Sequence, residues 1–158
     1  MYNKSSRPVD EVVKMHADRL LRTAVAVTGS KTDAEDIVQD VFVKLFEKQL
    51  KFESPVHETA WLIRVTVNLA KNCLRSSWRK KTVPLLDIYP TQNDEQCRII
   101  ETVLKLPSKY RTVIHLFYYE GYSTKEIAEI TEQNESAVRQ HLTRARRKLK
   151  DFLEEDFG

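Results

Sequence analysis

The sequence predicts an all-α protein built as two small helical domains, an N-terminal helical bundle and a C-terminal helix-turn-helix domain, joined by a short extended linker. Three observations predict it. Apolar residues recur at helical spacing in segment after segment, with no strand-like alternation between them. Only three glycines occur in 158 residues, and two prolines (Pro84 and Pro90) fall in one polar stretch that divides the chain. The 41% hydrophobic content is enough to pack cores, while 31% charged residues leave the helices with solvated outer faces. A chain of this length holds one ordinary domain or two small ones.

Val9 to Thr28 carries Val12, Val13, Leu20, Leu21, Ala24 and Val27, and reads as a first helix ending near Gly29. Thr32 and Glu35 have capping-box spacing, so a second helix is expected to open there. In it Ile37, Val38, Val41, Phe42, Leu45 and Phe46 face a core, and Asp33, Asp36, Gln39 and Asp40 form an acidic, polar opposite face. Phe52 to Thr59 reads as a loop, since Pro55 discourages helix through Ser54. Trp61 to Arg75 reads as the third helix, burying Leu62, Val65, Leu69 and Cys73. Arg64, Asn68, Lys71, Asn72 and Arg75 then share its other side.

Thr82 to Asn93 reads as the linker. Beyond it we expect a helix from about Glu95 to Leu104, a turn at LPSKYR, and a helix from Ser108 to about Glu120 that Gly121 terminates in a left-handed conformation. Ser123 and Glu126 form another capping box, opening a short helix with Ile127, Ala128 and Ile130 inside. Thr131 to Gln133 interrupt it, and Asn134 caps the next helix, with Glu135 in its anion-favouring first turn. Val138, Leu142, Ala145, Leu149 and Phe152 make one inward stripe there. Arg139, Gln140, Thr143, Arg144 and Arg147 are left outward.

Arginine and glutamine pair bidentately with guanine and adenine edges in a major groove wide enough for a helix. A short capped helix, a turn and a long basic helix therefore point to double-stranded DNA, against the plainer reading of a solvated surface face. The net charge of +3 says little, but its distribution says more. Trp61 to Lys81 holds six basic residues and no acidic one, and Arg139 to Lys150 holds six more, again with no acid. Two separated basic elements suggest two contacts to the phosphate backbone, both weakened by salt.

Four segments in this order, DAEDIVQDVFVKLF from Asp33, WLIRVTVNLAKNCLR from Trp61, LPSKYRTVIHLFYYEGYSTKEIA from Leu106 and AVRQHLTRARRKL from Ala137, resemble the extracytoplasmic-function sigma factors of the sigma-70 superfamily. The resemblance runs from about Val9 to Leu153. It implies a region 2-like domain over residues 8–81, a linker over 82–93 and a region 4-like helix-turn-helix domain over 94–154. It implies that Asp36, Gln39 and Asp40 contact core RNA polymerase, although by themselves they read first as a solvated acidic face. Arg64, Asn68, Lys71, Asn72 and Arg75 would engage and help melt the promoter's −10 element. Part of the pocket for an unpaired base would come from the Phe52 to Thr59 loop, with Phe52, Ser54, His57 and Glu58 available to stack or hydrogen-bond. Phe52 and Trp61 can instead be core.

Arg139, Gln140, Thr143 and Arg144 match the family's readers of the −35 element. Two positions depart from the pattern: His141 stands where many relatives have a basic residue, and Glu132 occupies a turn position that is often glycine. The implied partners are core RNA polymerase, promoter DNA and an anti-sigma factor, with no small-molecule substrate.

The chain contains no HExxH, nucleophile elbow or glycine-rich phosphate loop, and its four histidines lack metal-ligand spacing. Neither an enzyme nor a cofactor or metal site is expected. Cys73 and Cys97 lie far apart without a CxxC pattern. The opening residues MYNKSSRPVDE carry no signal-peptide core, so the expected location is the cytoplasm. Two rivals to the sigma reading remain at this level: a self-standing dimeric helix-turn-helix regulator, and an interaction protein that does not touch DNA.

Overall fold

A computed structural model gives the fold of residues 8–76, 89 and 93–157. Regular elements among them are helices, and the chain divides into two compact units, Met1–Arg79 and Lys80–Gly158. Of the basic run after Trp61, Arg79, Lys80 and Lys81 lie outside the described residues, as do 82–88 and 90–92 of the expected linker.

The N-terminal unit packs three helices against one another: α1 (Val9–Thr28), α2 (Lys31–Lys48) and α3 (Pro55–Ser76). Its core is aliphatic, with Val12, Leu20 and Ala24 of α1, Ile37, Val41 and Leu45 of α2, and Leu62, Ile63 and Val67 of α3. Gly29 ends α1 as expected, at φ 68°, donating its N–H to Val25 O at 2.8 Å. The cap of α2 differs from the expectation at Thr32. Ser30 is the N-cap, its hydroxyl accepting the Asp33 N–H at 3.2 Å. The Thr28 hydroxyl accepts the Ser30 N–H at 3.2 Å, which holds Ser30 extended and starts the helix at once. Asp33 is consequently buried at the first turn and does not belong to the outward acidic face.

The start of α3 also differs. Ser54 accepts the His57 N–H on its hydroxyl (3.2 Å) and the Glu58 N–H on its carbonyl (3.1 Å), so it is an N-cap with Pro55 in the first helical position. Proline keeps Ser54 out of the helix but suits the position after it, where an N–H would be unsatisfied. The helix therefore opens six residues before Trp61. Its buried face is Leu62, Ile63, Thr66, Val67 and Ala70, with Val65, Leu69 and Cys73 only half-buried. Packing on both α1 and α2 widens the apolar face and turns it from the expected stripe.

In the C-terminal unit, α4 (Asp94–Leu104) is capped by Asn93, whose side chain accepts the Gln96 N–H at 2.9 Å. The expected helix from Ser108 to Glu120 is α5 (Ser108–Ile114) continued by one π-helical turn, His115–Tyr119. That wider turn brings the His115 and Tyr119 rings into a stack at 5.4 Å, and the Glu120 N–H reaches back five residues to His115 O. Gly121 follows at φ 78°. α6 (Thr124–Thr131) and α7 (Glu135–Phe157) complete the unit around Leu106, Val113, Leu116, Ile127, Val138 and Leu142.

Two side chains secure this unit in ways the sequence reading missed. Arg111 is buried, and its Nη1 donates to Leu106 O at 3.0 Å and Leu104 O at 3.4 Å, closing the end of α4 onto α5. Burial lowers its pKa, and the neighbouring Tyr89 hydroxyl opposes that shift. Tyr89, read as linker, is itself buried in this unit, with its hydroxyl 3.0 Å from His115 Nδ1 and its ring edge-on to Tyr119 at 5.4 Å.

Candidate nucleic-acid interface

The helix-turn-helix forms as its sequence demands. Ser123 accepts the Glu126 N–H at 3.1 Å, and Glu126 accepts the Ser123 N–H at 3.0 Å, a closed capping box. α6 stops at Glu132, which takes the left-handed conformation (φ 56°) without being glycine, at a cost of roughly 1–2 kcal/mol. Asn134 caps α7 by accepting the Ala137 N–H at 2.8 Å. Val138, Leu142 and Ala145 are buried, which orients the rest of the helix.

Arg139, Gln140, Thr143 and Arg144 are all exposed, and with Ser136 and Arg147 they line one shallow polar groove along α7. The Thr143 hydroxyl donates to Arg139 O at 3.0 Å, leaving its methyl and an acceptor lone pair to the groove. Arg139 is held by Glu135, Nη1 to Oε1 at 2.7 Å. Arg146 leaves the basic set: its Nε donates to Tyr118 OH at 2.6 Å and its guanidinium lies over the Phe117 and Tyr118 rings. The helical spacing already separated Arg146 from the groove residues.

His141 is half-buried, edge-on to Tyr110 at 5.8 Å, and its Nδ1 has no hydrogen-bond partner among the described residues. Burial, then the charges of Lys109 and Arg144, lower its pKa below the ordinary 6.5. The unfolded chain then binds a proton that the folded chain resists, so stability falls as pH drops through 6.5 towards the lower folded value. We expect the unfolding midpoint of the C-terminal unit to decline between pH 7.5 and 5.5, and His141→Phe to flatten that decline. Equal pH dependence in both proteins would overturn the assignment to His141.

On the N-terminal unit, Asp36, Gln39 and Asp40 are exposed on one face of α2 and make no hydrogen bond or ion pair with any described residue. Arg64, Asn72 and Arg75 are exposed on α3, with Asn68 and Lys71 half-buried beside them along the same side. The segment before α3 is not the loop of available side chains expected from sequence. Phe52 is buried against Trp61, with ring centroids 5.9 Å apart, and Ser54 is committed as a cap. Glu58 is fully buried with Oε1 3.2 Å from His16 Nε2 on α1. His57 remains exposed, 3.4 Å from Glu53. Among the described residues, no group of His, Cys, Asp and Glu could hold a metal ion, and no helix is long and apolar enough to cross a membrane.

Two family models match in register with the two units, sigma-70 region 2 over residues 12–80 and sigma-70 region 4 over residues 98–149. The chain belongs to the sigma-70 family. Within it, this sigma-70 chain is similar to the extracytoplasmic-function (ECF) RNA polymerase sigma factor SigE of Mycolicibacterium smegmatis, 31% identical over 157 residues. That match covers 91% of this chain and 61% of SigE, so the chain spans less than two thirds of that relative. Among solved structures, CnrH in complex with the cytosolic domain of CnrY is 29% identical with a TM-score of 0.65, covering 94% of this chain and 88% of that one. The sigma factor RpoE of Bartonella quintana, in complex with the anti-sigma factor NepR, shares the fold at a TM-score of 0.72 and 23% identity, covering 92% of this chain and 96% of that one.

Proposed function

We propose that this sigma-70 chain is an alternative sigma factor that binds bacterial core RNA polymerase in the cytoplasm and directs transcription initiation at promoters with −10 and −35 elements. The observation that carries the reading is the joint match to regions 2 and 4 in one chain, in the order a promoter clamp requires. Residues 8–81 would dock on polymerase and open the −10 element, and 94–154 would read the −35 element, with 82–93 as the tether. A self-standing dimeric regulator has no use for region 2.

Asp36, Gln39 and Asp40 are assigned to polymerase docking, because α2 offers two unengaged carboxylates and an amide on one exposed face. Arg64, Lys71 and Arg75 are assigned to phosphates and Asn68 and Asn72 to the melted −10 strand. Arg139, Gln140, Thr143 and Arg144 are assigned to the −35 major groove, since the buried stripe of α7 turns all four into one groove. The protein would work by binding energy alone, without nucleotide hydrolysis. An anti-sigma factor is its proposed regulator, supported by the complexes in which CnrH and RpoE were solved.

Purified chain added to core polymerase should bind it and support transcription from promoters selected out of a randomised pool; failure to bind core would overturn the proposal. In that holoenzyme Arg139→Ala is expected to weaken −35 recognition by about 1–3 kcal/mol, the scale of one good base contact. Promoter titrations with intact and scrambled −35 elements measure it, and equal affinity loss on both would remove Arg139 from base readout.

A further inference from the structure

Arg139 does not stand alone at the head of α7. Its Nη1 donates to Glu135 Oε1 at 2.7 Å, and the same oxygen accepts the Thr124 hydroxyl at 2.9 Å. Thr124 opens α6 and Glu135 opens α7, so this chain of bonds crosses the turn between the two helices. A carboxylate beside the cationic DNA-facing side chains of α7 needs more than the dipole of its first turn as a reason, because it repels the polyanion that its neighbours attract.

Stability is a poor reason. The pair is an i,i+4 surface contact with side chains 60% and 40% exposed, the kind that contributes little to folding. Geometry is a better one. A free arginine has many rotamers and loses them on binding, whereas a guanidinium already bonded to a fixed carboxylate is preorganised. Thr124 does the fixing: Glu135 by itself would swing with its own torsions, but a hydroxyl on the neighbouring helix holds Oε1 in place. One N–H of the five-donor fork is engaged, and the others remain for the O6 and N7 acceptors of a guanine.

We propose that Thr124 and Glu135 are positioning residues for Arg139, fixing its guanidinium for guanine readout in the −35 element at the expense of sequence-independent affinity. This rests on the reading of α7 as the −35 helix. It predicts that specificity and affinity move in opposite directions, which a packing role would not produce.

The test uses full-length chain in holoenzyme with core polymerase. The DNA is a promoter selected by the wild-type holoenzyme, every single base-pair variant of its −35 element, and a version with that element scrambled. Arg139→Ala is expected to lose discrimination at one base pair. Glu135→Ala should lose about tenfold at that same base pair, yet bind the scrambled promoter more tightly and with a salt dependence steeper by about one counterion. Glu135→Gln should restore most of the discrimination, because an amide oxygen still accepts from both partners, while keeping the raised affinity for scrambled DNA. Thr124→Val, which removes the hydroxyl and no charge, should lower discrimination and leave scrambled DNA unaffected.

A Glu135→Ala protein weakened alike on all DNA would overturn the proposal, as would one with unchanged discrimination. Altered preference at a different base pair would also overturn it, since Glu135 would then be reading a base itself. If Arg139→Ala alters no base preference, the −35 assignment of α7 falls and the proposal with it. If Arg139→Ala acts as expected but Glu135→Ala and Thr124→Val are silent, only the positioning role is lost.

Discussion

Glu58→Ala is expected to destabilise the N-terminal unit by about 3 kcal/mol, the scale of emptying a fully buried side-chain site that also carries a hydrogen bond. Glu58 has no exposed surface, and across the core its Oε1 lies 3.2 Å from His16 Nε2 on α1. Alanine would open a cavity in the core and remove the acceptor that faces the buried His16, so the loss combines missing packing with a lost buried hydrogen bond. Because the chain has two compact units, a single melting curve would mix their transitions. Amide exchange in α1 and α3 reports the N-terminal unit by itself, and should accelerate about a hundredfold at its slowest sites. Glu58→Gln, which keeps an acceptor in place, should lose less. Exchange unchanged within a factor of two in Glu58→Ala would show that the pair contributes nothing to holding α3 on α1.

That pair also marks where the sequence stops being legible. The apolar stripes of α2 and α7 could be read directly, because each helix buries one face and the 3.6-residue period survives in the residue types. The caps at Ser123, Glu126 and Asn134 were legible for a similar reason: the bonding partners lie within three residues. Glu58 and His16 are 42 residues apart, and each looks like an ordinary surface residue until the helices meet. Nothing local distinguishes a buried carboxylate from a solvated one.

Local ambiguity explains the other differences. Pro55 is equally at home ending an extended segment and opening a helix, and the Ser54 bonds decide for the second. Thr32 and Glu35 have capping-box spacing, yet Ser30 wins because Thr28 has already positioned its backbone. Tyr89 sits in a polar, proline-flanked stretch, and its buried role comes from distant contacts such as those with His115 and Tyr119. At the proposed −35 surface the four groove residues were legible from the stripe opposite them. The Thr124 to Glu135 bond was not, since it depends on how closely α6 approaches α7.

Asp40→Lys should abolish holoenzyme formation at concentrations where the wild type is saturated. On α2 the side chains of Asp36, Gln39 and Asp40 spend none of their bonding capacity on described residues, so their acceptors are fully available to a partner. A charge reversal there removes one charge-assisted bond and places a cation against the basic surface that such a face would meet, a change costing several kcal/mol. Two to three orders of magnitude in core affinity is the expected scale. Asp40 is exposed, so the substitution should leave the fold of the N-terminal unit and its amide exchange unchanged, unlike Glu58→Ala. Competition with the wild-type chain for core polymerase measures the loss. Asp40→Asn separates the two contributions: it retains an acceptor and introduces no repulsion, so it should fall between wild type and lysine. If Asp40→Lys competes as well as the wild type, the acidic face of α2 is only solvated, and its assignment to polymerase docking falls. If it fails to compete while remaining folded, polymerase docking rests on the exposed acidic face of α2.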